Sequence, residues 1–342
     1  RAIVVGELAL DGTVRPIRGA LGIARLAERK KFRALYVPAE NAHEAALIPG
    51  IAVFGVRTLA ALVDHLEGHA AIAKEPRTTI EHVSSPGSVD ISEIRGQGHA
   101  KRALLISAAG GHNLIMQGPP GTGKSMLAQA LTSLLPPLSL DETIEVTQIW
   151  STAGSLGNHP YVHSRPFRSP HQTASPVAVV GGGTDPRPGE ISLAHRGVLF
   201  LDELPEFRRD LLEALRGPME SGYVSVARAK QHLTFPAQFT LVAAMNPCPC
   251  GYHGDPKKEC SCTAFEVFRY RKKVSGPLMD RIDLQIHVPR LALKDLRAAE
   301  PNYAEGDTMR QRVLRARDVQ RARFVSIGKR YATNAEMSSR DT

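Results

Sequence analysis

Eight consecutive residues constrain this chain more than any others: Gly118-Pro-Pro-Gly-Thr-Gly-Lys-Ser125. They follow the apolar run 113–117, which reads as a short buried strand, and they open the stretch 125–135, whose apolar residues recur at helical spacing. Strand, glycine-rich turn and helix in that order form the βα unit of a parallel sheet. The turn satisfies G-x-x-x-x-G-K-[ST], a loop whose backbone N–H groups close on phosphates. Lys124 is placed to reach β and γ oxygens, Ser125 to ligate Mg2+, and the helix N-terminus adds its dipole. Gly118, Pro119, Pro120, Gly121, Thr122, Gly123, Lys124 and Ser125 are therefore the expected ATP-binding loop. The plain alternative, a Gly/Pro turn before a helix, is disfavoured by the intact Lys-Ser pair.

Two further strand ends carry chemistry. Val198-Leu-Phe-Leu-Asp-Glu203 is an apolar strand closed by two carboxylates. Asp202 is suited to hold Mg2+ and Glu203 to polarise a nucleophilic water. Taken alone, such a strand end is commonly just solvated, and its weight comes from following the phosphate loop. The run 240–246, Thr-Leu-Val-Ala-Ala-Met-Asn, ends in Asn246, which can orient the attacking water or simply open a turn before Pro247.

The chain has four cysteines, all between Cys248 and Cys262. Cys248-Pro-Cys250 and Cys260-Ser-Cys262 form two C-x-C pairs with Gly251, Gly254 and Pro256 between them, a set that fits one Zn2+ and also fits buried or redox-paired thiols. Their clustering differs from the scattered pairs of a secreted domain, so a reducing cytoplasm is the expected setting. No apolar run approaches the roughly 20 residues needed to cross a bilayer, and no membrane association is expected.

Past the cysteines, Arg281 in Ser275-Gly-Pro-Leu-Met-Asp-Arg-Ile-Asp283 is placed on a loop after a basic helix. There it could stabilise the γ-phosphate of a neighbouring subunit, or pair with Asp280 or Asp283 at the surface. A formal net charge of +9 permits an acidic partner such as nucleic acid without requiring one.

At 342 residues the chain is expected to hold two or three domains. Strands at 3–10, 34–37 and 51–56 alternate with helical runs at 21–29 and 59–66, which reads as a small α/β domain over residues 1–67. Turn formers through Ser84-Ser-Pro-Gly-Ser88 mark 68–89 as a linker. Residues 90–290 form the nucleotide-binding domain, with a helical run expected at 210–220, and 291–342 become helical and charged, most clearly over 309–324. The start at Arg1, with Ile3-Val-Val5 already strand-like and no leader, reads as a fragment.

In order, the phosphate loop, Asp202-Glu203, Asn246 and Met279-Asp-Arg-Ile-Asp283 resemble an AAA+ ATPase module. The words Arg165-Pro-Phe-Arg-Ser-Pro-His171, Val180-Gly-Gly-Gly183, Arg187-Pro-Gly-Glu-Ile-Ser-Leu-Ala-His-Arg196 and Cys248-Pro-Cys-Gly251 are similar to magnesium-chelatase-like proteins of the YifB/ComM type. The resemblance covers nearly the whole chain. It implies an α/β fold with helices on both faces of a P-loop parallel sheet, a homo-hexameric ring, and for the ComM type a cytoplasmic DNA helicase that promotes branch migration during natural transformation. It also implies that 222–239 is a pre-sensor hairpin aiming Arg228 and Lys230 at single-stranded or branched DNA in a central pore, with 177–190 a second pore element. A solvated basic turn is the alternative for that hairpin. The readings of other classes are a chelatase motor subunit and a nucleotide-gated scaffold.

Residues 1–67 resemble the C-terminal half of a Lon-protease-like domain, through Gly6-Glu-Leu-Ala-Leu-Asp-Gly-Thr-Val-Arg-Pro-Ile17. Where the proteases carry Gly-Gly-Ile-Lys, this chain has Arg18-Gly-Ala-Leu21, so the general base is missing and peptidase chemistry is not expected. At the other end, a helical lid beginning near Met309 is expected to be cut short at Thr342, before the family's sensor-2 arginine. That leaves hydrolysis by the chain open, with nucleotide binding weakened but kept.

Overall fold

The computed structural model describes residues 1–80, 89–157, 159–183, 186–228, 231–291, 301–329, 331–338 and 341, with 227–228 and 231–232 described as backbone. Contacts divide the chain into two units, Arg1–Val83 with Leu138–Ser164, and Ser84–Pro137 with Arg165–Thr342.

In the first unit, parallel strands run in the order Ala2–Val4, Ala34–Pro38, Ala52–Val56. The single strand expected over 3–10 is broken. Ala2–Val4 joins the sheet, whereas Glu7–Leu8 pairs back on Val14–Arg15 as a separate hairpin. Asp11 drives the turn, its Oδ1 accepting from the backbone N–H (3.0 Å) and the hydroxyl (2.6 Å) of Thr13. The core packs Leu21, Ala24 and Ala27 of helix Ala20–Arg29 on Leu35, Val37 and Val53, and Ile144 and Tyr161 complete it. Ile144 belongs to helix Leu140–Ala153, which a Ser139/Glu142 capping box starts and which packs in this unit although it follows the phosphate-loop helix in sequence. Leu21 is buried and its N–H donates to Glu44 Oε1 at 3.0 Å. Residues beyond Gly68 lie along the same unit, with Glu75 N–H bonded to Val53 O at 2.8 Å.

The second unit is built on a five-stranded parallel sheet in the order Leu284–His287, Leu114–Gln117, Thr240–Met245, Val198–Leu201, Phe167–Arg168. Strand alternation sends Leu114, Met116, Val198, Phe200, Val242 and Ala244 into one apolar cluster and Ile115, Leu199, Leu201, Leu241, Ala243 and Met245 into another. Both faces of the sheet are thus covered, which is why these strands read as continuous apolar runs. On the first face lie helices Gly98–Gly110 and Lys124–Leu134, and helix Tyr303–Ser326 packs onto both. Arg317 and Gln320 of that last helix donate to the carbonyls of Ala108 and Ala109, satisfying acceptors at the end of Gly98–Gly110.

The helical run expected over 210–220 is two helices, Arg209–Ala214 and Arg216–Ser221. Pro218 lacks the N–H that would bond the Ala214 carbonyl, so the ladder breaks there. Beyond Gly222, Tyr223–Arg228 pairs antiparallel with Gln231–Pro236, and a shorter hairpin joins Gly181–Gly182 to Arg187–Pro188. Among the described residues no helix is long and apolar enough to cross a membrane.

Candidate nucleotide-binding site

In a parallel sheet every strand delivers its C-terminal tip to the same edge, and a crevice opens where neighbouring strands come from opposite directions in the chain order. Here that point is Leu114–Gln117, flanked by the last strand and by Thr240–Met245. The phosphate loop, Asp202-Glu203 and Asn246 all follow strands of this sheet and converge at that edge. Gly118 has no room for a side chain, because a Cβ would lie 2.2 Å from the carbonyl oxygen of Val288.

Lys124 is buried, and its ammonium donates to the carbonyl oxygens of Gly118 (2.7 Å) and Pro119 (3.0 Å) and to Asn246 Oδ1 (3.2 Å). Burial lowers its pKa, and the charges of Asp202 and Glu203 partly offset that. Ser125 Oγ donates to Asp202 Oδ2 at 2.7 Å. Adjacent ligands of an octahedral Mg2+, each at about 2.1 Å, stand about 3 Å apart, so these two oxygens fit such an ion. Asp202 Oδ1 accepts the Glu203 N–H at 2.9 Å. Glu203 itself is exposed and left-handed (φ 53°, ψ 47°), a conformation costing a non-glycine residue about 1–2 kcal/mol, and the turn Leu204–Glu206 holds it there. Strain of this kind at a strand tip accompanies functional positioning.

Three participants were not legible in the sequence. Tyr270 receives the Asn246 backbone N–H on its hydroxyl, which burial, Glu206 and Glu203 push up to about 12 against the effect of that bond. Gln97, buried and left-handed at φ 54°, donates through Nε2 to Pro289 O at 2.9 Å, tying the start of helix Gly98–Gly110 to the end of the last strand. Glu220 holds Arg281 at 2.5 Å. The Gly96-Gln97-Gly98 turn left a trace in the sequence, but Tyr270 and Glu220 sit in ordinary amphipathic helices.

Arg281 is not brought to the phosphate loop of its own chain. Its carbonyl accepts from Asn113 Nδ2 at 2.9 Å, and Asn113 precedes the strand that Gly118 follows. A four-residue strand, about 13 Å, separates these two edges of the sheet. Its side chain pairs with neither Asp280 nor Asp283 but with Glu220. Asp283 instead accepts from the backbone N–H of Asn113 and contacts His112 Nδ1, both at 3.2 Å, and the His112 hydrogen bond keeps its pKa below the usual carboxylate range despite burial.

The four cysteines converge, with their sulfurs all within 4.8 Å of one another. Cys248 Sγ lies 3.3 Å from that of Cys250 and 3.7 Å from that of Cys260, and Cys250 Sγ lies 3.6 Å from that of Cys260. A tetrahedral thiolate site with Zn–S about 2.3 Å has sulfurs about 3.8 Å apart, so the set fits that ion. For Cys262, the Cys250 N–H favours the thiolate, but burial and the facing sulfurs outweigh it and push the thiol to about 12. Of the basic pair assigned to DNA, Arg228 ends its strand opposite Gln231, its side chain is outside the described set, and Lys230 lies outside the described residues.

Comparison with known proteins agrees with this geometry. The family model for magnesium chelatase, subunit ChlI, matches residues 90–296, and a second, subunit ChlI of Mg-chelatase, matches 1–41. The chain is 43% identical to competence protein ComM of Haemophilus influenzae over 98% of its own length and 65% of that protein. It is 45% identical to the uncharacterized protein YifB of Escherichia coli over 93% of its length and 62% of that protein. Against the magnesium-chelatase subunit ChlI of Nephroselmis olivacea the identity is 28%, over 45% of this chain and 50% of that one. The chain therefore spans less than two thirds of the length of ComM and YifB. Because the phosphate loop, both acidic strand-end residues and Asn246 all fall within the ChlI match, which alone takes in more than half of the chain, the chain belongs to the magnesium-chelatase-like AAA+ family of the YifB/ComM type.

Proposed function

We propose that this chain is the ATP-hydrolysing core of a ring-shaped DNA-translocating motor. The observation that carries the reading is the position of Arg281, on the sheet edge opposite its own phosphate loop. A guanidinium there serves a neighbour's γ-phosphate, so a complete site needs a second copy of the chain. Within one chain, Lys124 and the loop N–H groups bind the phosphates of ATP, Ser125 and Asp202 hold Mg2+, Glu203 acts as general base for water, and Asn246 orients the γ-phosphate and that water. Magnesium supplies charge neutralisation on the β and γ oxygens. The four thiols hold a structural Zn2+.

DNA as the track is supported by the two-stranded hairpin carrying Arg228, by the net charge of +9, and by likeness to a protein named for competence. A chelatase motor subunit is the second reading, favoured by the ChlI match over 90–296. The two separate on one measurement, the ATPase rate of the full-length protein with single-stranded, double-stranded and forked DNA. Stimulation that Arg228→Glu with Lys230→Glu abolishes is expected, and a rate indifferent to DNA and to both substitutions would sink the DNA reading. Glu203→Gln is expected to keep ATP bound while hydrolysis falls by about 10²–10⁴-fold. A nucleotide-gated scaffold would keep its activity in that variant, and a motor would lose it.

A further inference from the structure

The strand Thr240–Met245 runs through Asn246 and Pro247 directly into Cys248, so the sulfur cluster begins two residues beyond the partner of Lys124. Between Pro247 and Thr263 the chain forms no helix or strand. Its path rests on turns, on the sulfur cluster and on an ion pair between the fully buried Asp255 carboxylate and Arg290 at 3.3 Å. Cys248 is fully buried, its carbonyl accepts the Gly251 N–H at 3.0 Å, and its Sγ accepts the His253 N–H at 3.3 Å.

This knuckle touches the phosphate loop on two sides. Gly251 is left-handed at φ 87°, and a Cβ on it would lie 2.7 Å from Cδ of Pro120 and 3.9 Å from Cγ of Asn246. The turn that presents Cys248 and Cys250 is therefore packed against the third residue of the loop at backbone distance. On the other side, Arg290 stands two residues past Val288, whose carbonyl closes on Gly118. A displaced knuckle thus moves the wall behind Pro120, and a loop that binds through backbone N–H groups tolerates little displacement.

We infer that the four-cysteine centre is a metal-dependent support for the phosphate loop, so that a thiophilic tetrahedral cation bound there sets the affinity for nucleotide. The inference rests on reading the thiols as a metal site. Four sulfurs from two separate C-x-C turns lie within 4.8 Å of one another, so a single bound metal would tie both turns together and fix their positions. Closing the loop on the metal fixes Gly251 against Pro120, and losing the metal releases both.

The test uses the full-length protein, with Zn2+ measured by elemental analysis and affinity by titration with a fluorescent ATP analogue, a readout independent of turnover. Wild type is expected to carry about one Zn2+ per chain, and Cys260→Ser with Cys262→Ser to lose it and bind the analogue at least about tenfold more weakly. Gly251→Ala keeps all four thiols, so it should retain Zn2+ while losing affinity to a similar degree. Removing the metal from wild type with a chelator and restoring Zn2+ gives the same two states without a substitution, should the double variant fail to fold. Zinc present, but affinity unchanged within about twofold on its removal, overturns the inference alone. Gly251→Ala binding like wild type overturns the contact it rests on. Wild type free of zinc overturns the metal reading and the metal dependence together.

Discussion

Replacing Lys124 by Met is expected to weaken nucleotide binding by about 10²–10³-fold while leaving the fold intact, since each charge-assisted hydrogen bond to a phosphate contributes about 1.5–3 kcal/mol. Met keeps the aliphatic volume at a buried position. The carbonyl of Pro119 still receives the Thr122 hydroxyl at 3.0 Å, so that end of the loop stays partnered. The same lysine makes binding depend on pH. Its folded pKa lies below the ordinary 10.5 because it is buried. Between those two values the unfolded chain holds more protons, so the free protein gains stability as pH rises through that window. Phosphates favour the charged ammonium, so binding takes up a proton there and affinity falls as pH climbs through the free-protein pKa. Calorimetric titration with ADP across the alkaline range below 10.5 checks this. Wild type should lose affinity steadily and Lys124→Met should show no such slope; parallel slopes would remove Lys124 from the site.

Much of that site was legible because parallel-sheet chemistry is written in contiguous words. An apolar run followed by a polar residue names both a core strand and its tip, which made Lys124, Ser125, Asp202, Glu203 and Asn246 legible as strand-end residues, and the parallel order of the sheet brings those ends to one edge. Phe167–Arg168 escaped notice because two residues carry no periodicity, and its place in the sheet comes from pairing with Val198–Leu199. The helix Leu140–Ala153 shows the opposite limit. Its own pattern and capping box are local, but the surface it packs on, around Leu21 and Val53, lies about a hundred residues earlier in the chain. Tyr270 was silent for a related reason, and Gly251 was legible only as a turn between the cysteines, not as a neighbour of the phosphate loop. Each matters through a contact with Asn246 or Pro120 that tertiary packing creates, and neither residue type is unusual in its segment.

Arg281→Ala is expected to cut turnover by about 10³-fold or more while nucleotide affinity changes little, since the residue lies on the far sheet edge from its own loop and, in the proposed ring, serves only a neighbour's site. In the single chain it is held by Glu220, and both side chains are roughly half exposed, so releasing the pair costs at most about 1 kcal/mol. A latch that weak can open whenever a better anion arrives. Glu220 is the penultimate residue of helix Arg216–Ser221, and after Gly222 the chain enters the hairpin strand Tyr223–Arg228. In the proposed ring, an Arg281 drawn to a neighbour's γ-phosphate would deprive the base of the hairpin of an ionic partner, and so would link the state of one site to the hairpin of the next subunit. Glu220→Gln should accordingly keep basal turnover and lose the stimulation by DNA. The decisive measurement mixes two inactive proteins, Arg281→Ala and Lys124→Met. A mixed ring contains junctions where an intact loop faces an intact arginine, so ATPase activity should reappear on mixing. If the mixture stays as inactive as its components while mixed rings form, Arg281 does not act across the interface.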